Sequence, residues 1–351
     1  MALEKFIISR DDALHEAWPD VVLTKSGTLI CIFTECSCHG DYTGARLMIT
    51  RSYDRGRTWT PKTVFAECEN SEHYYDCVSI RRLSDDRIVV LIDKHEDEGN
   101  EMSDLSKRHI YMWIGDAEGE NWSEEIRTPA RGIVPDRLLE LSTGRWIISA
   151  HYVGEKSGRY EQYLWYSDDK GKTWSDVITV AADERYELCE ASILELKDGT
   201  LVAFLRENQW KGYECLKTIS YDKGESWSEV YTTPIPCCHR PQAGFLNDGS
   251  IMLTYRLIQG GKGWFGTWAQ NAVAAFMDEE TAAAKERKEQ GVRLFPMDFD
   301  RSSLSDLGYT GWVQFDDGEI YVVNYIVDDA PRAHIRGYSF KKEDVLINTE
   351  R

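Results

Sequence analysis

Six stretches of the chain share one layout: an apolar run, a short polar turn and a second apolar run. They read WPDVVLTKSGTLICIF, YDCVSIRRLSDDRIVVLI, VPDRLLELSTGRWIIS, CEASILELKDGTLVAFL, HRPQAGFLNDGSIMLTY and YTGWVQFDDGEIYVVNY. β-Branched and other apolar residues dominate both arms, the composition of strands. The turns centre on Gly27, Asp86, Gly144, Gly199, Gly249 and Gly318. These residue types tolerate positive φ, so each stretch predicts a hairpin closed by a two-residue turn. Successive turns lie 50 to 69 residues apart, room for one four-stranded sheet per repeat. So small a unit cannot cover its own apolar faces, whereas sheets stacked around an axis cover one another. The expected fold is all-β, a six-bladed propeller forming a single domain over 1–351. The one helical pattern, MDEETAAAKERKEQG at 277–291, has acidic residues early, basic ones late and a glycine stop. It predicts a helical insert on the fifth blade. The N-terminal EKFIIS is expected to pair with the last blade and remove its open edge.

A second repeat overlies the first. SYDRGRTW (Ser52 to Trp59), SDDKGKTW (Ser167 to Trp174) and SYDKGESW (Ser220 to Trp227) share one frame, and a weaker copy holds Asp116, Gly119 and Trp122. The aspartate suits capping of backbone amides, the glycine a positive φ, and the tryptophan a plug between sheets. A chain seldom needs one catalytic acid three times, so Asp54, Asp169 and Asp222 read as scaffold between the third and fourth strands of their blades. The frame is the Asp-box, or bacterial neuraminidase repeat. A six-bladed chain that carries it resembles the sialidase superfamily, over most of the sequence.

Composition narrows the partners. With 60 acidic and 41 basic residues the formal net charge is −19, which argues against nucleic acid and anionic membrane surfaces. No apolar run approaches the roughly 18 residues that span a bilayer. The N-terminus shows no basic segment followed by an apolar one, and nine scattered cysteines suit reduced thiols, so a cytoplasmic location is expected. CSCH (Cys36 to His39) and CCH (Cys237 to His239) lack the spacing of a zinc finger, so no metal or other cofactor is expected.

The hairpin register selects candidate site residues. Nine positions before each turn stand Trp18, Cys77, Pro135, Glu190, Arg240 and Tyr309, and seven after it Thr34, Asp93, His151, Arg206, Arg256 and Tyr325. Most are aromatic or ionisable, types that are costly near a propeller axis unless they are used. The resemblance to sialidases gives three of them roles. CEASILELKDGTLVAFLR resembles the segment whose glutamate precedes the hairpin and whose arginine follows it, which places Glu190 and Arg206. GYTGWVQFDDGEI resembles the segment that carries a tyrosine nucleophile, here Tyr309, with Glu190 as its base. The resemblance also implies Asp41, in CSCHGDYTG, as the acid for the leaving oxygen. A phenol with a pKa near 10 needs a carboxylate, here Glu190, to draw off its proton.

The departures from that pattern concern the substrate. Sialidases carry an arginine in an R-I-P motif, one of three that clamp a carboxylate; here Pro19 matches but Ala17 stands at the arginine's place. The third family arginine has no clear match, and Arg240 and Arg256 are candidates to replace part of the clamp beside Arg206. Trp18 is a candidate to stack on a sugar, and Asp76, Asp136, His151 and His239 fall at hairpin ends that face the rim. GGKGWFGTW (Gly260 to Trp268) reads as an aromatic rim loop. The expected function is an exo-acting glycoside hydrolase on a terminal, neutral or acidic sugar, with carbohydrate as the only partner class. A uronic-acid lyase using histidine, tyrosine and arginine, and a non-catalytic carbohydrate-binding propeller, stay open.

Overall fold

A computed structural model describes residues 3–69, 73–96, 108–259 and 266–346. Its strands form six four-stranded antiparallel sheets, one for each predicted hairpin. Five sheets are built from consecutive strands. The sixth joins Leu307–Gln314, Glu319–Ile326 and His334–Lys341 to the N-terminal strand Glu4–Ser9, which pairs antiparallel with His334–Lys341 from Glu4 opposite Ser339 onward. The first and last segments of the chain therefore close the ring, and the last blade is left without the open edge that invites aggregation.

Strict alternation along the second strand of each blade explains why the blades stack. In Leu29–Cys36 all eight residues are buried. Leu29, Cys31 and Phe33 join a core with Tyr321, Val323 and Tyr325 of the sixth blade. Ile30 and Ile32 face the other way and pack with Val78, Ile80, Ile88, Val90 and Ile92 of the second blade. A strand side chain alternates faces with period two, so a run apolar at every position can be satisfied only between two neighbouring sheets.

The hairpin turns are one residue longer than expected. Gly27 N bonds Thr24 O at 3.1 Å and Thr24 N bonds Thr28 O at 2.9 Å, and the same pair recurs at Asp86, with 3.1 and 2.8 Å. Three residues lie in each loop, the last in the left-handed region: φ is 94° at Gly27 and 69° at Asp86. A left-handed residue after the turn restores the strand twist that a shorter loop of this kind would oppose.

The Asp-boxes are turn staples in the expected place. In the first, Asp54 accepts from Thr58 N at 2.8 Å and Thr58 Oγ1 at 2.6 Å, Gly56 N donates to Ser52 Oγ at 2.8 Å, and Trp59 Nε1 donates to Gly56 O at 3.2 Å. Asp169 and Asp222 repeat the aspartate–amide bond at 2.8 and 2.9 Å. In the weaker copy Asp116 takes Glu120 N at 3.0 Å.

The insert on the fifth blade is less helical than 277–291 suggests. Only Glu279–Ala283 is α-helical, started by Asp278 accepting from Thr281 N, with a single 3-10 turn at Arg287–Glu289. The cause is Lys217. Its buried ammonium donates to Thr281 O at 3.0 Å and Ala282 O at 2.8 Å, taking carbonyls that the next helical turn would need.

Candidate active site

The first and second strands slip in register in five blades: between Ala17 and Asp20, Tyr75 and Val78, Cys189 and Ser192, His239 and Gln242, and Gly308 and Gly311. Each slip is a β-bulge, the device that re-aims side chains at the rims of β-folds. Trp18, Glu190, Arg240 and Tyr309 occupy these bulges at φ of 52°, 45°, 52° and 53°. Left-handed backbone at a non-glycine residue costs of order 1–3 kcal/mol, so four instances in one register point to a constrained centre.

That centre is a cavity of about 290 Å³. Glu190, Arg206, Tyr309 and His151 line it together with Trp18 and Asp76, and His39, Tyr42, Arg108, Tyr160, Asn208 and Trp210 add to the polar and aromatic wall. Tyr309 Oη donates to Glu190 Oε1 at 2.6 Å. Arg206 Nη1 donates to the same carboxylate oxygen at 2.7 Å, and its Nη2 to Asn208 Oδ1 at 2.5 Å. The imidazole of His151 accepts from Glu190 N at its Nδ1, 3.3 Å away.

Electrostatics set the resting proton. Burial alone would raise the pKa of Glu190, but the charge of Arg206, reinforced by its hydrogen bond, brings it down to about 2. Burial, then the Glu190 charge, push the Tyr309 phenol well above its ordinary value. Transfer from even an ordinary phenol near 10 to a carboxylate at about 2 is uphill by roughly 11 kcal/mol. The phenol therefore rests protonated and Glu190 ionised. Burial also drives His151 down to about 4, a neutral and weakly basic imidazole at pH 7.

Asp76 behaves differently. Burial, followed by the nearby charge of Asp93, raises it to about 6. Asp93 is held by Cys77 N at 3.0 Å and faces His95 Nε2 at 3.3 Å. Asp76 thus combines a place in the cavity wall with a pKa that suits a general acid near neutrality.

Other expected residues fall elsewhere. Asp41 does not line the cavity. It is bound within its loop by Ser37 Oγ at 2.6 Å and Thr43 N at 3.2 Å, and these bonds hold its pKa below the usual value. Asp136 lines a separate cavity. Its carboxylate accepts from Ile193 N at 2.8 Å, as Asp20 accepts from Ile80 N at 2.8 Å; both tie one blade to the next. The shared Pro–Asp pair at Pro19–Asp20 and Pro135–Asp136 was the sequence signal for this structural role. His239 is buried behind the wall with its ring 5.1 Å from Trp210.

The clamp is also rearranged. Arg240 and Arg256 flank the Tyr309 ring, their guanidinium carbons 5.8 and 5.3 Å from its centroid, but neither lines the cavity. Arg240 turns to Gln242 Oε1 at 3.0 Å and Pro135 O at 3.3 Å, and Arg256 to Leu307 O at 3.1 Å. The charge of Arg256 acts against the rise in the Tyr309 pKa. Arg108, which sequence reasoning missed, supplies a second cation in the wall beside Arg206. Its motif-free stretch carried no signal. Of the expected rim loop Gly260 to Trp268, residues 260–265 lie outside the described residues.

A family model described as BNR repeat-like domain matches residues 80–262. No curated protein matches by sequence. Among solved structures, a protein of unknown function from Dyadobacter fermentans DSM 18053 aligns with a TM-score of 0.78 at 21% identity, over 97% of this chain and 98% of that one. A Hadza microbial sialidase aligns with a TM-score of 0.70 at 17% identity, over 95% of this chain and 66% of that one. A sialidase from Streptococcus pneumoniae aligns with a TM-score of 0.69 at 13% identity, over 97% and 71%. At such identities the likeness is one of fold.

Proposed function

The chain belongs to the BNR repeat-like domain family of the sialidase superfamily, and on that premise we propose that it is an exo-acting glycoside hydrolase with Tyr309 as nucleophile. The observation that carries the reading is the 2.6 Å bond from Tyr309 Oη to Glu190 Oε1 inside the cavity. Tyrosine is the recognised exception among glycosidases that otherwise use two carboxylates. In this reading Glu190 takes the phenol proton as Tyr309 attacks the anomeric carbon, and Arg240 and Arg256 stabilise the phenolate. Asp76, in place of Asp41, protonates the leaving oxygen and later activates water.

Arg206 and Arg108 are the arginines that line the cavity among the described residues. Arg206 is already shared with Glu190 and Asn208, so a substrate carboxylate would meet two arginines rather than a clamp of three. Each charge-assisted bond contributes roughly 1.5–3 kcal/mol, so the missing arm favours an acidic sugar other than a sialoside, or a neutral one. Trp18 supplies an apolar face for the ring.

The lyase reading needs a base matched to a weakly acidic C–H, and a His151 held at about 4 fits that task poorly. The test is a panel of aryl glycosides, including a sialoside and a uronide, given to the purified protein. Release of the aryl group from one terminal sugar supports hydrolysis. An unsaturated uronate product instead supports a lyase, and binding without turnover a carbohydrate-binding propeller.

A further inference from the structure

His15, His39 and Asp306 converge beside the cavity, although 267 residues separate His39 from Asp306. We propose that these three side chains form a binding site for one divalent transition-metal ion of the zinc type. Each offers one ligand atom, and the three atoms lie within 4.8 Å of one another. His39 Nδ1 stands 2.7 Å from Asp306 Oδ2, and His15 Nε2 3.8 Å from the same oxygen. Two ligands of a tetrahedral zinc at about 2.1 Å are about 3.4 Å apart, between these two separations. A shift of the part-exposed His39 side chain, which a loop carries, brings the set to coordination distance.

An independent observation points to a ligand. His15 is 4% exposed, and its Nε2 has no hydrogen-bond partner. A buried ring nitrogen without a partner is costly, and a metal ion would satisfy it. The supporting contacts also suit a metal ligand. Tyr325 Oη donates to the other Asp306 oxygen at 3.0 Å, and Asp306 N is tied to Asp300 Oδ2 at 2.9 Å. Outer bonds of this kind orient a coordinating carboxylate. The neighbouring cation Arg256 donates to Leu307 O and Tyr325 Oη.

Two histidines and one carboxylate leave a tetrahedral ion one open position, the arrangement that admits water or a substrate oxygen. His39 and Trp18 both line the cavity, so an ion here adds positive charge close to Ala17, where sialidases carry the R-I-P arginine. That second role rests on the proposed reading of the cavity; the ion site itself does not.

The test reads metal uptake without turnover. The full chain, stripped with chelator, is titrated with Zn²⁺ by calorimetry and with Co²⁺ by visible absorption. The expected result is one equivalent bound, micromolar or tighter, with a tetrahedral Co²⁺ spectrum that lacks the thiolate charge-transfer band. His39→Ala, on a part-exposed loop, should weaken binding at least about tenfold, and Asp306→Asn should do the same, with circular dichroism confirming that both variants are folded. Absence of saturable uptake by the wild-type chain overturns the proposal. So does uptake that is unchanged in folded His39→Ala, or a thiolate band, which would assign the ion to cysteines.

Discussion

Tyr309 and Glu190, 119 residues apart in sequence, share a hydrogen bond of 2.6 Å at the centre of the ring. Both sit on β-bulges with positive φ, so the fourth and sixth blades each present one partner from a backbone the rest of the sheet constrains. The pair separates two effects that mutation can distinguish. Tyr309→Phe removes the oxygen proposed to attack and one neutral donor, leaving the Glu190–Arg206 ion pair whole. Turnover should fall by at least about 10³-fold with ligand affinity and melting temperature nearly kept. Glu190→Gln should cost turnover about 10²–10⁴-fold and also about 3–5 kcal/mol of stability, because it strands a buried guanidinium. Steady-state kinetics with denaturant unfolding check both; equal stability loss in the two variants contradicts the assignment.

The acid is Asp76 in this account, and its titration is directional. A proton donor at about 6 is lost as pH rises, so kcat/KM should fall about tenfold per pH unit above about 6. Glu190 at about 2 stays ionised throughout and adds no acid limb near neutrality. Asp76→Asn should remove the limb and spare only substrates with good leaving groups, whereas Asp41→Asn should keep the wild-type profile. Stability follows the same sign. Asp76 and Asp93, both raised to about 6 from about 3.9, hold extra protons in the folded state between these values. Their contribution is therefore full below about 4 and lost as pH rises through about 6. Melting curves across that window check this.

Asp136 serves the scaffold. Asp136→Ala leaves Ile193 N unsatisfied between the third and fourth blades and should cost about 1–3 kcal/mol. The folded variant should retain wild-type KM. A raised KM with unchanged stability would return Asp136 to the substrate.

Gly311 is required by a neighbour. A Cβ there would lie 2.0 Å from Asp20 Oδ1, and the buried Asp20 also holds the part-buried Arg137 in an ion pair. Gly311→Ala should displace this carboxylate and lower stability by more than about 2 kcal/mol, as disruption of a buried network does. Chemical denaturation measures it, and a variant as stable as the wild type contradicts the latch between the first and sixth blades.

The sequence made the architecture legible because its signals are local and repeated. Hairpin arms, turn glycines and Asp-boxes each span fewer than twenty residues and recur around the ring. That Glu190, Arg206 and Tyr309 meet in one cavity follows from their fixed offsets from a turn, whereas their roles came from the resemblance to sialidases. Asp41 was placed by loop position, and loop position does not say which way a carboxylate points; Ser37 and Thr43 decided that. The turns came out one residue longer because twist, not residue type, selects the loop. His15, His39 and Asp306 had no shared period or spacing, and only the closed ring brings them together. The shortened helix depended on Lys217, a residue from another blade.

Tyr309 Oη is the atom proposed to hold the sugar between the two halves of the reaction. The direct measurement is trapping. A fluorinated glycosyl fluoride of whichever sugar the aryl panel identifies is incubated with the wild-type chain, and the protein is analysed by intact mass and peptide sequencing. The expected result is one stoichiometric adduct, on the phenol of Tyr309, absent in Tyr309→Phe. An adduct on a carboxylate, or turnover with no adduct on Tyr309, would contradict it.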